Sequence, residues 1–268
     1  MNIGHIPIHD ITRLAFFQLL VRTAYPFGSV RRVRRGPLKN FRLLVSPGMG
    51  FTFIWGANGD EWKWVQLIGE GDCVYDIGAH CGQSTLYLAQ AVGRTGHVVA
   101  FEPVAANYDR LVRNLALNAL EHVVAVCAAA AQSDEEGQFE MSERQSTRGR
   151  LVSFGLDPLP SAGFQTVAVK QVPLDSYKAR GWPAPTFLKI DVEGGAPGVL
   201  AGAREMLQAC RPTIYIELHS EAERAAVRDL LRDHDYRAYS LDGQAVADPT
   251  VQMITPLLCR PATADRLN

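Results

Sequence analysis

One segment constrains this chain more than any other: a short apolar strand that ends in a glycine turn and opens directly into a helix. It reads Cys73-Val74-Tyr75-Asp76-Ile77, then Gly78-Ala79-His80-Cys81-Gly82, then Gln83-Ser84-Thr85-Leu86. Glycines at such a turn let backbone approach a ligand closely, and the helix start offers unpaired N–H groups to an anion. A dinucleotide pyrophosphate calls for G-x-G-x-x-G here. The spacing is instead Gly78 to Gly82 with an acid, Asp76, ahead of the turn, which favours a ligand carrying a carboxylate and an ammonium.

From about residue 72 onward, short β-rich runs alternate with helical ones, the pattern of βαβ units on a mostly parallel sheet. We expect strands at 73–77, 97–102, 122–127, 138–141, 167–172, 186–191, 213–218, 236–241 and 251–259. Helices are expected at 83–92, closed by Gly93, and at 104–118, 198–209 and 221–233. The fold class is therefore α/β, a Rossmann-like, mostly parallel seven-stranded sheet with helices on both faces, over residues 70–268. Residues 1–69 form an N-terminal extension. A helix is expected around Leu14–Val21, two strands around a Pro-Gly turn within 41–55, and a cap carrying Trp55, Trp62 and Trp64. The polar, Gly/Ser/Pro-rich stretch 143–166 is an insertion, functional or mobile.

The 27 basic and 28 acidic residues nearly cancel, so nothing marks the whole surface for nucleic acid. Arg31, Arg32, Arg34, Arg35, Lys39 and Arg42 form a local basic run, a solvated face or a contact for phosphate or a membrane surface. The apolar stretch at 14–21 is too short to cross a bilayer and lacks a cleavage pattern. Five scattered cysteines, without a CxxC pair, read as buried thiols in a reducing cytoplasm.

Glu102 ends the strand after the glycine turn, where a carboxylate can accept both hydroxyls of a ribose. Asp191 and Glu193 follow the strand at 186–191, and Glu217 with His219 follows the one at 213–218, at the carboxyl edge where open α/β sheets bind ligands. Alternation places each pair on one face.

The motifs VYDIGAHCGQSTLYLA, VVAFEP, LVRNLALNAL, the SDEEG turn, VPLDSY, FLKIDVEG, VLAGA and RPTIYIEL run in an order and spacing that resemble the FkbM family of O-methyltransferases over about residues 70–220. The resemblance implies a class I methyltransferase using S-adenosylmethionine. It implies that Asp76, Gly78 and Gly82 shape the pocket for the methionine part of that cofactor and that Glu102 holds the ribose. Ser133 and Asp134 lie where related enzymes contact adenine, or form a plain turn capped by Asp134. Ser84 reaches the cofactor carboxylate or serves as an N-cap. His80 stands where the family often has Asn, and the family's EGAE is here Glu193-Gly194-Gly195-Ala196, without the second acid.

Methyl transfer from a sulfonium is an in-line displacement, and Asp191 and His219 are the candidates to orient the acceptor and take its proton. Asp191, Glu217 and His219 could also offer ligands to Mg²⁺. The resemblance suggests a hydroxyl acceptor on a sugar or natural product, against which the tryptophans could stack. Rival readings are a nicotinamide oxidoreductase, disfavoured by the missing G-x-G-x-x-G, and a non-catalytic module that keeps the fold.

Overall fold

The computed structural model describes residues 23–46, 63–142, 149–151, 164–250 and 255–262. The expected helix at 14–21, Trp55, Trp62 and most of the 143–166 insertion lie outside them. The chain divides into two compact units, Met1–Glu61 and Trp62–Asn268; the sequence rhythm places the division at 70.

In the first unit β1 (Val30–Arg32) pairs antiparallel with β2 (Arg42–Leu44). Among the described residues the partner of β2 is the segment before it; the second strand expected within 41–55, after Pro47-Gly48, lies outside them. Val33, Leu38 and Leu43 are fully buried in this hairpin, and its basic residues are exposed.

The second unit opens with a 3-10 turn, Lys63–Leu67, and proceeds through β3 (Cys73–Ile77), α1 (Gln83–Val92), β4 (His97–Phe101), α2 (Ala105–Leu117) and β5 (Val123–Val126). Then come β6 (Ala129–Ala130), β7 (Glu136–Ser142), β8 (Gly149–Leu151) and β9 (Phe164–Val172), followed by β10 (Phe187–Ile190), α3 (Ala196–Ala201) and α4 (Arg204–Cys210). Last are β11 (Thr213–Ile216), α5 (Glu221–Asp233), β12 (Tyr236–Tyr239), β13 (Ala245–Val246) and β14 (Leu257–Pro261).

The main sheet runs β13-β12-β14-β11-β10-β3-β4-β5. Its centre, β11-β10-β3-β4-β5, is parallel, and β14 is inserted antiparallel between β11 and β12. Seven of these strands are the expected ones; the two-residue β13 adds an eighth at the edge. β3 and β10 are buried at every position, as strands covered on both faces must be. The runs expected near 138–141 and 167–172 leave the main sheet: they are β7 and β9 of a second, four-stranded sheet ordered β6-β9-β7-β8.

Two local differences have physical causes. The helix expected at 198–209 breaks into α3 and α4 because Gly202 packs against the main chain of Ala131; a Cβ there would lie 1.9 Å from the Ala131 carbonyl oxygen. The new end is held by Asp175, whose Oδ1 accepts the Met206 N–H at 2.8 Å. Trp64 belongs to the core of the second unit: it is buried and stacks on Tyr215, ring centroids 4.2 Å apart, and on Phe187 at 5.8 Å. Substrate stacking is therefore not its role.

Three cysteines are buried, Cys210 is half-buried, and Cys127 is exposed, against the expectation of five buried thiols. Among the described residues no helix is long and apolar enough to cross a membrane.

Candidate active site

The order in which the chain adds parallel strands to the sheet reverses between β3 and β10. β3 continues through α1 to β4 on one side, and β10 continues through α3 and α4 to β11 on the other. A crevice opens at such a switch point, outside the carboxyl ends of the strands. The candidate residues gather there.

The parallel register sets Asp76 of β3 directly beside Lys189 of β10. Lys189 is almost fully buried, with its ammonium 3.2 Å from Asp76 Oδ1 and 3.4 Å from Asp191 Oδ2, and it donates a hydrogen bond to the Gly78 carbonyl at 3.0 Å. Burial alone would favour the neutral amine, yet Asp76 and Asp191 outweigh it and hold the pKa above that of an ordinary lysine. The Oδ1 contact is an ion pair without hydrogen-bond geometry, so that oxygen has no hydrogen-bond donor. Oδ2 accepts from Ser84 Oγ at 2.8 Å and Thr85 Oγ1 at 2.7 Å.

Asp76 is fully buried, so it braces the turn from behind and does not face the crevice. Ser84 is spent on the same task; the N-cap position belongs to Gly82. Both glycines make room for protein: a Cβ on Gly78 would meet the Asp191 carbonyl oxygen at 2.0 Å, and one on Gly82 the Leu111 Cδ1 at 2.6 Å. Their φ of +86° and +91° are also reserved for glycine in practice. His80 holds φ +51° and reaches toward the Cys81 thiol, Nδ1 to Sγ 2.9 Å. Buried Asn114 on α2 fastens the turn from the other side by donating to the Cys81 carbonyl at 2.8 Å.

Glu102 lies at the tip of β4, nearly buried. Its Oε2 accepts the His80 N–H at 2.9 Å; Oε1 accepts the Val104 N–H at 3.0 Å and the Asn107 amide at 3.3 Å. Burial pushes the pKa of this carboxyl upward against those three bonds. A carboxylate oxygen takes two donors, so Oε2 retains room for one more, the capacity a ribose hydroxyl would use. Ser133 and Asp134 are placed after β6, and exposed Asp134 forms a close ion pair with Arg180, whose guanidinium lies over Trp182.

On the other side of the crevice, the acceptor atoms of Asp191 and Glu217 and a ring nitrogen of His219 lie within 4.8 Å of one another. His219 Nε2 is 3.4 Å from Asp191 Oδ1, with both side chains about a third exposed. Burial raises the Asp191 pKa, but Lys189 and His219 outweigh it and hold the acid down at about 2. The hydrogen bond to Asp191 correspondingly lifts His219 to about 9. Glu217 accepts from Tyr215 OH at 2.8 Å, and burial, then the neighbouring Asp191, push its pKa up. Glu193, expected to share a face with Asp191, is exposed on the following turn, because β10 ends at Ile190 and strand alternation stops there.

Two residues in this arrangement escaped the sequence reasoning. Lys189 is one; its signal is a lone cation within the apolar run Phe187-Leu188-Lys189-Ile190. The other is Glu223, fully buried, which accepts N–H groups of His219 at 2.6 Å, Gly194 at 3.0 Å and Ala196 at 3.5 Å. Ser220 caps α5 by accepting from the Glu223 N–H at 3.3 Å, so S-x-x-E at 220–223 is a capping-box signature legible in the sequence, with Glu223 reaching back to the His219 N–H in place of that of Ser220. Its carboxylate serves the turn that lacks the second acid.

The sequence model of the methyltransferase FkbM domain matches residues 76–238, more than half of the chain, and the chain belongs to that family. With the sheet order above, this gives the chain the class I, Rossmann-like fold of that methyltransferase family. Membership removes the nicotinamide oxidoreductase reading.

Among solved structures the chain is similar to methyltransferase FkbM from Methylobacillus flagellatus KT, at 20% identity and TM-score 0.46, over 72% of this chain and 44% of that one. It is similar at 13% identity and TM-score 0.43 to an S-adenosylmethionine-dependent O-methyltransferase from Thermotoga maritima, over 87% of this chain and 77% of that one. Aeropyrum pernix fibrillarin, with natively bound S-adenosyl-L-methionine, is similar at 13% identity and TM-score 0.41, over 72% and 66% of the two chains. The chain thus spans less than half of the Methylobacillus protein. No curated protein matches it in sequence.

Proposed function

We propose that this protein methylates a hydroxyl group of a sugar or natural product, with S-adenosylmethionine held at the carboxyl ends of β3 and β4. The cofactor supplies, when bound, an electrophilic methyl group on a sulfonium. The spare acceptor position on Glu102 Oε2 supports its role as the ribose ligand. Asp76, Gly78, Gly82 and Ser84 set the shape of the turn beside it, and the backbone around His80 is the surface offered to the amino-acid end. For Ser133 and Asp134 an adenine-side role is part of the proposal, with Arg180 competing with adenine for Asp134.

The observation that carries the acceptor assignment is the meeting of Asp191, Glu217 and His219 within 4.8 Å at the same sheet edge. The sequence made His219 a candidate base. With its pKa at about 9 it already holds a proton at neutral pH and serves better as a donor that orients the acceptor oxygen. Asp191, anionic down to about pH 2, holds that imidazolium in place. Glu217, whose proton affinity is increased by burial and by Asp191, is the group we assign to take the hydroxyl proton.

The same three groups have the spacing of a divalent cation site. Lys189 and protonated His219 already supply the positive charge there, so we expect chelators to leave turnover unchanged. The deciding experiment incubates the protein with isotopically labelled S-adenosylmethionine and a panel of glycans and secondary metabolites, read by mass spectrometry. Label on an acceptor oxygen supports the proposal. Label confined to nitrogen or carbon overturns the acceptor class, and cofactor binding without transfer to any panel member favours the non-catalytic module.

A further inference from the structure

The charge of this protein is distributed unevenly. From Ile11 to Gly59, 49 consecutive residues contain no Asp or Glu and eight Lys or Arg. Six of these, Arg31, Arg32, Arg34, Arg35, Lys39 and Arg42, fall on the β1–β2 hairpin and are all exposed. Removing those six from the 27 basic residues leaves 21 against 28 acidic ones, so the rest of the chain is anionic.

The hairpin is built to display this charge. Val33, Leu38 and Leu43 face inward, so the turn between them projects Arg34 and Arg35 outward, and the register sets Arg32 directly opposite Arg42.

Apolar character comes with the charge. Phe27, just before β1, is 55% exposed, the most exposed of the large apolar side chains described. The same acid-free stretch holds eight aromatic residues and only three amide side chains, Gln18, Asn40 and Asn58. The cations alone would suit nucleic acid equally, since arginine is the commonest reader of bases, whereas cations beside an exposed apolar side chain are what an interfacial segment presents.

We propose that the N-terminal unit docks this protein on an anionic lipid surface, with Arg34 and Arg35 at the lipid phosphates and Phe27 entering the headgroup layer. One lipid anchor or one basic patch holds a protein only transiently; the two signals together give stable docking. This concerns a surface of Met1–Glu61 and is independent of the methyl-transfer assignment.

The test is co-sedimentation of the full chain with phosphatidylcholine vesicles, with and without phosphatidylserine. We expect binding only where phosphatidylserine is present, and its loss as salt shortens the Debye length from about 10 Å at 0.1 M to about 3 Å at 1 M. Each basic residue near such a surface is worth roughly a fivefold factor in partitioning, so Arg34→Gln with Arg35→Gln should weaken binding about twenty-five-fold. Phe27→Ser should weaken it further, with unchanged circular dichroism. Equal binding to both vesicle types, no binding to either, or displacement from vesicles by a low concentration of poly-uridine would overturn the proposal, the last in favour of nucleic acid. The salt series on the unsubstituted protein decides the matter if the variants do not fold.

Discussion

Replacing Lys189 by Met keeps an unbranched side chain one atom shorter and removes its charge, which isolates what the ammonium contributes. Lys189 is 3% exposed and its partner Asp76 is 0% exposed, so the variant strands a carboxylate with no water and two hydroxyl donors, both on Oδ2. Breaking a buried ion pair from one side costs about 3–5 kcal/mol, and most of that is the uncompensated charge left behind. The 3.4 Å contact to Asp191 adds little, because that carboxylate is about a third exposed and solvent screens it. For a domain of this size each kcal/mol lowers Tm by about 2–4 °C, so Lys189→Met should melt roughly 6–20 °C lower. Removing the stranded charge as well should recover much of the loss: Lys189→Met with Asp76→Asn should be more stable than Lys189→Met alone. Scanning calorimetry or urea unfolding at neutral pH reads both. A drop under about 1 kcal/mol, or strict additivity of the two changes, would refute a buried pair at this position.

Because His219 has its pKa raised to about 9, its ion pair with Asp191 stabilises the protein below the ordinary histidine pKa and is lost as pH rises through about 9. We therefore expect turnover to fall as pH rises through that value, whereas a histidine base would make it rise; His219→Gln should flatten this limb and leave cofactor affinity unchanged. Glu102→Gln should weaken S-adenosylhomocysteine binding by about 1.5–3 kcal/mol, ten-fold or more, in calorimetric titration, and unchanged affinity would remove the ribose assignment. Gly78→Ala forces a Cβ to 2.0 Å from the Asp191 carbonyl oxygen at a φ of +86°, and should cost several kcal/mol, at least about 2, in thermal unfolding. Glu223→Ala leaves the N–H groups of His219, Gly194 and Ala196 without their carboxylate, a loss of about 2–4 kcal/mol that Glu223→Gln should partly restore.

The βαβ core was legible because its signals are local. The strand at Cys73–Ile77 and the helices Gln83–Val92 and Glu221–Asp233 occupy the residues that apolar runs and Gly93 predicted. The errors fall where a distant contact overrides local preference. Gly202 breaks a continuous helical pattern because the Ala131 carbonyl needs the space, and the capping carboxylate, Asp175, comes from a different motif. Trp64 read as part of an N-terminal cap because its neighbours in sequence include other tryptophans, but its partners, Tyr215 and Phe187, come from strands far along the chain.

The same distinction explains the site. Sequence marks which residues stand at strand ends, and Glu102, Asp191, Glu217 and His219 were all recognised on that ground. It does not give the register between strands far apart in the chain, and the register decides which way Asp76 points. With Lys189 beside it, Asp76 becomes the inner half of a buried pair, and Lys189 in turn holds the Gly78 carbonyl and sits against Asp191. One ammonium therefore ties the turn to which we assign the cofactor to the acid we assign to the acceptor. Motifs that look like two independent binding elements are joined through a single side chain, and a substitution at Lys189 should disturb both halves of the crevice at once.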